Sequence, residues 1–301
     1  MSVELSIIIV NYNSGRFLNE CVKSVFDASE NMEVVVVDNA SSDDSITQLN
    51  TYFSGEPRLH IINNDSNLGF TKACNIGSKC VSGEYHLYLN PDCILQSNAI
   101  SELLTTLKGD PTAGMVGGIL LNPDGSEQAG GRRSVPTPWR SFVRASGLSK
   151  FGNRYPKLFS DFLLHTDPIP ENPIEVEAIS GACMMVRHEA LGEVGPLDEG
   201  YFMHCEDLDW CMRFRQKGWK ILFVPSAKVV HYRGACGKSR PIFVEWHKHK
   251  GMMRFYRKFF RHQYPGILMW LVSFGVWLRF GLIATYYSGR HVARWIGLVR
   301  D

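Results

Sequence analysis

The sequence predicts an α/β fold: a mostly parallel sheet covered by helices, followed by a C-terminal amphipathic helical tail. Three observations carry this. Apolar runs of strand length alternate with stretches of helical periodicity through roughly the first hundred residues. Each of those runs ends in a cluster of Asn and Asp. The last sixty or so residues change character, mixing Lys and Arg with aromatic residues.

The elements follow in order. Leu5-Ser6-Ile7-Ile8-Ile9-Val10 is a near-continuous apolar run, the pattern of a strand buried on both faces. Phe17, Leu18, Cys21, Val22 and Val25 recur at helical spacing. Glu33 to Val37 predicts a second strand, ending at Asp38. Ser41-Ser42-Asp43-Asp44 has the composition of a helix N-cap leading to Ile46 and Leu49. Leu59 to Ile62 predicts a third strand, Phe70 to Val81 a helix, and Tyr85 to Leu89 a fourth strand. Repeated βα units of this kind imply a doubly wound sheet with its ligand site at the carboxyl ends of the strands. Asn11-Tyr12-Asn13, Asp38-Asn39, Asn63-Asn64-Asp65 and Asn90-Pro91-Asp92 all fall at those ends. Ordinary turn chemistry favours the same residues one at a time; four clusters on one edge suggest a shared cleft.

From Asp110 to Pro173 the periodicity weakens. Gly117-Gly118, Gly130-Gly131 and six prolines from Pro136 to Pro173 predict an irregular excursion carrying Arg132, Arg133, Trp139, Arg140 and Arg144. Such a segment covers the donor, meets the acceptor or is a solvated basic face. Order resumes at Ala178 to Arg187, a strand interrupted near Gly181. A helix with Leu208, Cys211, Met212 and Phe214 on its apolar face comes next, then two short strands, Ile221 to Val224 and Lys228 to Tyr232.

The charge is unevenly distributed. The net value is +2, yet Pro241 to Asp301 holds ten Lys/Arg against two carboxylates, leaving an acidic body and a basic tail. Eight cysteines show no CxxC pair and no disulfide-like framework, and the first apolar stretch lacks the basic flank of a signal peptide. Reduced thiols and a cytoplasmic location are expected.

Two acidic clusters point to chemistry: Asn90-Pro91-Asp92 after the fourth strand, and Glu206-Asp207-Leu208-Asp209 opening a helix. Moving a group off a diphosphate requires one carboxylate to hold a divalent cation against the phosphates. Another removes a proton from the nucleophile. Two separated clusters meet both needs.

The ordered set Ser6-Ile7-Ile8-Ile9-Val10-Asn11-Tyr12-Asn13, Val37-Asp38-Asn39-Ala40-Ser41-Ser42-Asp43, Asn67-Leu68-Gly69-Phe70, Leu89-Asn90-Pro91-Asp92, Ser180-Gly181-Ala182 and Gly195-Pro196-Leu197-Asp198-Glu199 running into Glu206-Asp207 resembles family 2 inverting glycosyltransferases of the GT-A fold. The resemblance covers about residues 3 to 235, and the Asn-Leu-Gly-Phe and Asn-Pro-Asp versions are most similar to bacterial rhamnosyltransferases of cell-surface polysaccharide assembly. It implies a GT-A-like domain over 1–235, with a nucleotide-binding half (1–109) and an acceptor half (110–235), and a helical tail over 236–301.

The resemblance also implies roles. Asn11, Tyr12, Asn13, Asn67, Gly69, Phe70, Lys72 and Asn90 would line the nucleotide-sugar site, and Asp38 would accept hydrogen bonds from the base. Asp92 resembles the last carboxylate of the family's metal motif and would hold Mg²⁺ or Mn²⁺ together with His231. The motif's first acidic position is Asn90 here, which brings no charge. Asp207 would be the general base, with Glu206 the competitor and Asp209 a charge on the helix dipole. The processive synthases' Gln-x-x-Arg-Trp motif is not matched, since His291 precedes Arg294-Trp295; a single-addition enzyme is implied.

In the tail, six Lys/Arg between Ile242 and Tyr264 alternate with aromatics, a mixture that nucleic-acid binding would also use. The following apolar stretch, Gly266 to Leu278, is short of the ~20 residues a span needs, and Arg279 interrupts it. A helix on an anionic membrane surface fits better than nucleic acid or a span, with packing on the body or an oligomer contact as alternatives. The expected partners are a nucleotide diphosphate sugar, dTDP-L-rhamnose first and UDP-galactofuranose or a UDP-hexose as alternatives, and a glycan or polyprenyl-linked acceptor at the inner face of the membrane. Two other classes compete. A nucleotidyltransferase would want a better phosphate loop than Asn13-Ser14-Gly15-Arg16, and a non-catalytic nucleotide- or glycan-binding adaptor would tolerate loss of Asp207.

Overall fold

The computed structural model describes residues 3–295 except 30, 153 and 235–239; the expected domain boundary at 235/236 lies outside the described residues. Strands β1 (Leu5–Asn11), β2 (Met32–Asp38), β3 (Leu59–Asn63) and β4 (Tyr85–Leu89) alternate with helices α1 (Arg16–Ala28), α2 (Ser45–Tyr52) and α3 (Phe70–Ser78). They line up β3-β2-β1-β4, all parallel. The winding direction reverses between β1 and β4, so their carboxyl ends flank the crevice where such sheets take ligands. Burial on both faces explains the apolar runs. Leu5, Ile7 and Ile9 pack on one side of β1, Ile8 and Val10 on the other. Each fully buried side chain of this size contributes roughly 1.5–3 kcal/mol.

The second half contains β5 (Cys93–Leu95), α4 (Ala99–Gly109), β6 (Ala113–Leu121), β7 (Arg132–Arg133), α5 (Pro138–Ala145), α6 (Pro156–Phe159), β8 (Ile174–Glu175), β9 (Ala178–Ile179), β10 (Cys183–Arg187), α7 (His188–Val194), α8 (Glu206–Gln216) and β11 (Lys220–His231). The sheet continues β4-β10-β6-β11-β5, with β8 on β11. β10 is antiparallel to both neighbours, β6 and β11 are parallel, and the longer ladders are the parallel ones. The sheet is mixed but mostly parallel. β7 and β9 form a separate ribbon.

Four details differ from the sequence reading. β6 is a buried strand inside the expected excursion. Its Gly117-Gly118 pair marks close approach, since a Cβ at Gly117 would lie 2.7 Å from Ile179 Cδ1 and one at Gly118 would run into the Ala227 carbonyl oxygen. The two short strands expected over 221–232 are one strand, β11, with a register shift between Val224 and Lys228. α3 stops at Ser78. Asp44 occupies the N-cap of α2 without capping it; Asp43 Oδ1 instead accepts from the Ser45 amide at 3.2 Å.

The tail forms two helices, α9 (Pro241–Phe259) and α10 (Gly266–Trp295). α9 buries Met253, Phe255 and Tyr256 in the same core as α8. Lys258 reaches the fully buried Asp209 at 2.6 Å, and Arg254 and Lys258 reach Asp198 at 2.8 and 2.7 Å. α10 lies along α9, with Trp246 against Trp277 and Phe280 at 5.2 and 5.4 Å between ring centroids. Gly266–His291 is long and apolar enough to cross a membrane, with mean hydropathy 1.9.

Candidate active site

The strand ends form one connected polar rim. Asn11 Nδ2 donates to Asp38 Oδ1 (2.7 Å) and to Ser45 Oγ (2.9 Å), while its Oδ1 accepts from Ser14 Oγ. Asp38 also accepts from the Ser41 amide (3.0 Å) and hydroxyl (2.6 Å), so it closes the turn after β2. Asn13, with φ +53°, accepts from the Ser42 amide at 2.7 Å. Tyr12 is half-buried beside it. Lys72 is exposed on α3.

Asn67 to Phe70 turns sharply into α3. Asn67 Oδ1 accepts from the Gly69 amide (3.0 Å), and the Phe70 amide donates to the Phe202 carbonyl (2.8 Å). Gly69 has φ +86°, and a Cβ there would lie 2.6 Å from that carbonyl oxygen. The group requiring glycine is therefore Phe202. Thr71 donates to the Tyr201 carbonyl (2.6 Å) and Asn75 Nδ2 to the Leu197 carbonyl (2.9 Å). This loop joins the first half to the segment that enters α8.

The sheet register brings Asp92 and His231 together. β5 pairs antiparallel with the end of β11, setting His231 opposite Cys93, and the Tyr232 amide donates to the Asp92 carbonyl at 2.9 Å. His231 Nε2 stands 3.3 Å from Asp92 Oδ1, and both residues are buried. Gln128 fixes the imidazole. Its Nε2 donates to the His231 carbonyl (3.2 Å) and to Asn122 Oδ1 (3.0 Å), so its Oε1 faces His231 Nδ1 at 2.7 Å and requires a proton there. In the neutral ring Nε2 is then a lone pair pointing at a carboxylate oxygen. Two acceptors face each other, and a cation between them satisfies both. The donor set, one carboxylate and one imidazole, fits Mg²⁺ or Mn²⁺ once phosphate oxygens complete the shell. Cys93 Sγ is near enough to join, but burial pushes its thiol well up, and it donates to the Ala182 carbonyl at 3.4 Å. The Asn90 amide donates to the Ala182 carbonyl at 2.9 Å, and its own carbonyl accepts from the Cys93 amide at 3.1 Å.

The second cluster opens α8. His204 and Cys205 both adopt left-handed conformations (φ +66° and +68°), a strained entry costing on the order of 1–3 kcal/mol per residue. Both following carboxylates are buried, in different surroundings. Asp207 Oδ2 accepts from Arg133 and from the Gly181 amide (3.1 Å), and Oδ1 from the Leu208 amide (2.8 Å). Glu206 Oε2 is buried with no partner among the described residues. Burial first, and the Asp207 charge second, push its carboxyl up to about 8. Asp209 points away. It takes Tyr201 Oη, Arg213 and Lys258, which makes it a fixture between α8 and α9.

Sequence reasoning missed Gln128 and the Arg133 contact. Gln128 lies in a short polar run after a strand that the reading did not recognise. The sequence reading groups Arg133 with three other basic residues of the excursion. Its neighbour Arg132 is buried against Glu127 (2.8 Å), so neither belongs to a solvated face. A cavity bounded by Glu4, Glu84, Arg187 and His188 lies at the amino ends of β1 and β4, remote from this chemistry.

The mixed sheet with its crevice at the β1/β4 reversal and carboxylates at its rim is a GT-A-like architecture. A solved structure of GalNAc-T7 with UDP, GalNAc and Mn²⁺ superimposes with a TM-score of 0.57 at 20% identity, covering 76% of this chain and 44% of that one. The chain thus spans less than half the length of that structure, and the likeness concerns the fold. The glycosyl transferase family 2 model matches residues 6–195, and the chain belongs to that family. It is 28% identical over 246 residues to an N-acetylglucosaminyl-diphospho-decaprenol L-rhamnosyltransferase of Mycobacterium tuberculosis, covering 77% of each chain. It is 25% identical over 261 residues to the rhamnosyltransferase WbbL of Escherichia coli, covering 80% of this chain and 88% of that one. Glu206, Asp207 and His231 lie beyond the matched family segment, so their roles rest on geometry.

Proposed function

We propose that this family 2 glycosyltransferase moves L-rhamnose from dTDP-L-rhamnose, with inversion, to a hydroxyl of a polyprenyl-linked glycan in cell-envelope polysaccharide synthesis. The observation that carries the transferase chemistry is the pairing of Asp92 with a His231 whose Nε2 lone pair is set by Gln128. The sugar is suggested by the two relatives named rhamnosyltransferases. A divalent metal bound there supplies charge stabilisation of the leaving diphosphate.

The chain's own residues divide the remaining work. Asp38, Asn11 and the Asn67–Phe70 turn shape the nucleotide end of the crevice. Asp207 is the general base. A carboxylate has about four lone-pair sites, and three are taken by Arg133, Gly181 and Leu208, which leaves one on Oδ1 for an acceptor hydroxyl. Glu206, protonated at neutral pH by its raised pKa, is the poorer base.

The tail holds the enzyme on the inner face of the membrane. Ile267, Leu271, Phe274, Leu278 and Leu282 form one exposed stripe on α10 at helical spacing, opposite Met269, Val272 and Val276, which pack inward. A helix held along α9 by its inner face, with Arg279 exposed at mid-length, suits the interface better than a span.

The test is calorimetry with dTDP-L-rhamnose, UDP-galactofuranose and UDP-hexoses, in Mn²⁺ or Mg²⁺ and then in chelator. Metal-dependent binding of dTDP-L-rhamnose alone is expected. Preference for a UDP-sugar would replace the donor, and binding that is indifferent to chelator would remove the metal role of Asp92 and His231.

A further inference from the structure

Between α5, the 156–160 segment and the end of α9 lies a cavity of about 560 Å³ that no part of the chemistry above uses. Its walls combine the aromatic rings of Trp139 and Tyr264 with Arg140, Lys157 and Arg215, and one carboxylate, Glu177. Glu177 is already satisfied. It accepts from the Val135 amide (2.6 Å) and pairs with Arg140 (2.7 Å), and these contacts outweigh its burial and hold its carboxyl below the usual range. Lys157 and Arg215 are exposed, and neither side chain makes an ion pair or hydrogen bond among the described residues, although the Arg215 charge also helps to hold the Glu177 carboxyl down. The cavity therefore offers two cations with no side-chain hydrogen bond or ion pair beside aromatic surface, a combination suited to an anion on an apolar chain.

Its position narrows the ligand. Val135 lines the cavity and lies two residues along from Arg133, whose guanidinium holds Asp207, or about 7 Å of extended chain. At the other side Tyr264 leads within two residues into α10 and its exposed stripe of Ile267, Trp270 and Leu271. Exposed Phe142, Tyr155 and Leu158 add apolar surface on the α5 side. The order is base, then cations, then lipid-compatible surface. A sugar joined through a diphosphate to an isoprenoid has its groups in that order.

We infer that this cavity binds the diphosphate of a prenyl-diphosphate-linked acceptor, with Lys157 and Arg215 as the phosphate contacts and the isoprenoid running out along α10. This rests on the transferase reading and adds the place on this chain where the acceptor's anionic group is held. The donor's diphosphate belongs at Asp92 and His231, so the two phosphate sites are separable.

The experiment is binding of farnesyl diphosphate to the full chain in chelator, which removes metal-dependent binding at Asp92. Farnesol, inorganic diphosphate and phosphatidylglycerol vesicles are the comparison ligands. Farnesyl diphosphate should bind at least tenfold more tightly than farnesol or inorganic diphosphate. The Lys157→Ala/Arg215→Ala double variant should lose that tenfold or more while binding nucleotide sugar with Mn²⁺ as the parent does. The inference is overturned if the parent does not bind farnesyl diphosphate, if the variant binds it equally well, or if inorganic diphosphate matches it. Displacement by phosphatidylglycerol vesicles would assign the two cations to lipid headgroups and also overturn it. Failure of every nucleotide sugar to bind would instead sink the transferase reading, whatever farnesyl diphosphate does.

Discussion

Asp92 and Asp207 are both buried carboxylates at the rim of the same sheet, yet their surroundings are opposite. Asp92 faces His231 Nε2 at 3.3 Å, the ring nitrogen that Gln128 leaves as an acceptor in the neutral imidazole, so the pair has room for a cation. Asp207 already has its cation in Arg133, plus two backbone amides. On the proposed function, that difference divides the work between Asp92, which would hold a metal, and Asp207, which would meet the acceptor hydroxyl. Residue type gives no hint of it; the neighbours decide.

The largest effect that would test this contrast is on Asp207. Asp207→Asn keeps the shape and much of the hydrogen bonding but cannot take a proton, so kcat should fall by about 10²–10⁴-fold. Donor affinity measured by calorimetry should stay within a factor of two or so of the parent's. Unchanged turnover would favour Glu206 as base. On the metal side Gln128→Leu removes the acceptor that fixes the His231 tautomer. Mn²⁺ affinity, measured by titration with a nucleotide diphosphate present, should weaken by about 10–100-fold while Asp92 and His231 remain in place. No change would mean that the imidazole orientation needs no help from Gln128.

The sequence made the first of these environments easier to see than the second. Strand runs such as Ile7 to Val10 are legible because burial on both faces demands apolar residues throughout, and the strand-end clusters follow from that. The metal side needs a long-range pairing of β5 with β11, which local pattern does not encode; only the family resemblance brought His231 beside Asp92. β6 escaped because its two glycines read as part of an irregular excursion, although they mark where Ile179 and Ala227 crowd the strand. Missing β6 hid the Gln128 that follows it. Arg133 was visible as a charge, but its partner was fixed by the β7–β9 ribbon.

Glu206 sharpens the comparison through pH. Its carboxyl is raised in the folded protein from an ordinary 4.5 to about 8, so the fold prefers it protonated. The stabilisation is fully present below about pH 4.5 and is lost as pH rises through about 8, at a cost of up to a few kcal/mol. Glu206→Gln should flatten that decline in denaturant titrations run at pH 5, 6.5 and 8. A variant that loses stability with pH as steeply as the parent would show that Glu206 is not the group responsible. Gly69→Ala is expected to cost a few kcal/mol, since it adds both a disfavoured φ and a 2.6 Å contact with the Phe202 carbonyl. An unchanged midpoint would mean that Phe202 yields, and that the two halves are joined more loosely than their hydrogen bonds suggest.

The smallest effect concerns a third carboxylate with a fixed cation. Asp209 resembles Asp207 in being ion-paired and buried, but its partners Arg213 and Lys258 serve packing between α8 and α9. Lys258 is about one-third exposed, and its removal leaves Asp209 with Arg213 and Tyr201, and Asp198 with Arg254. Lys258→Met should therefore cost no more than about 1 kcal/mol, with its apolar stem replaced in kind. Turnover at a permissive temperature should not change. If it fell with donor binding intact, the ion pairs of α9 would be aiming Asp207, and the line between a catalytic and a packing carboxylate on α8 would have to be redrawn.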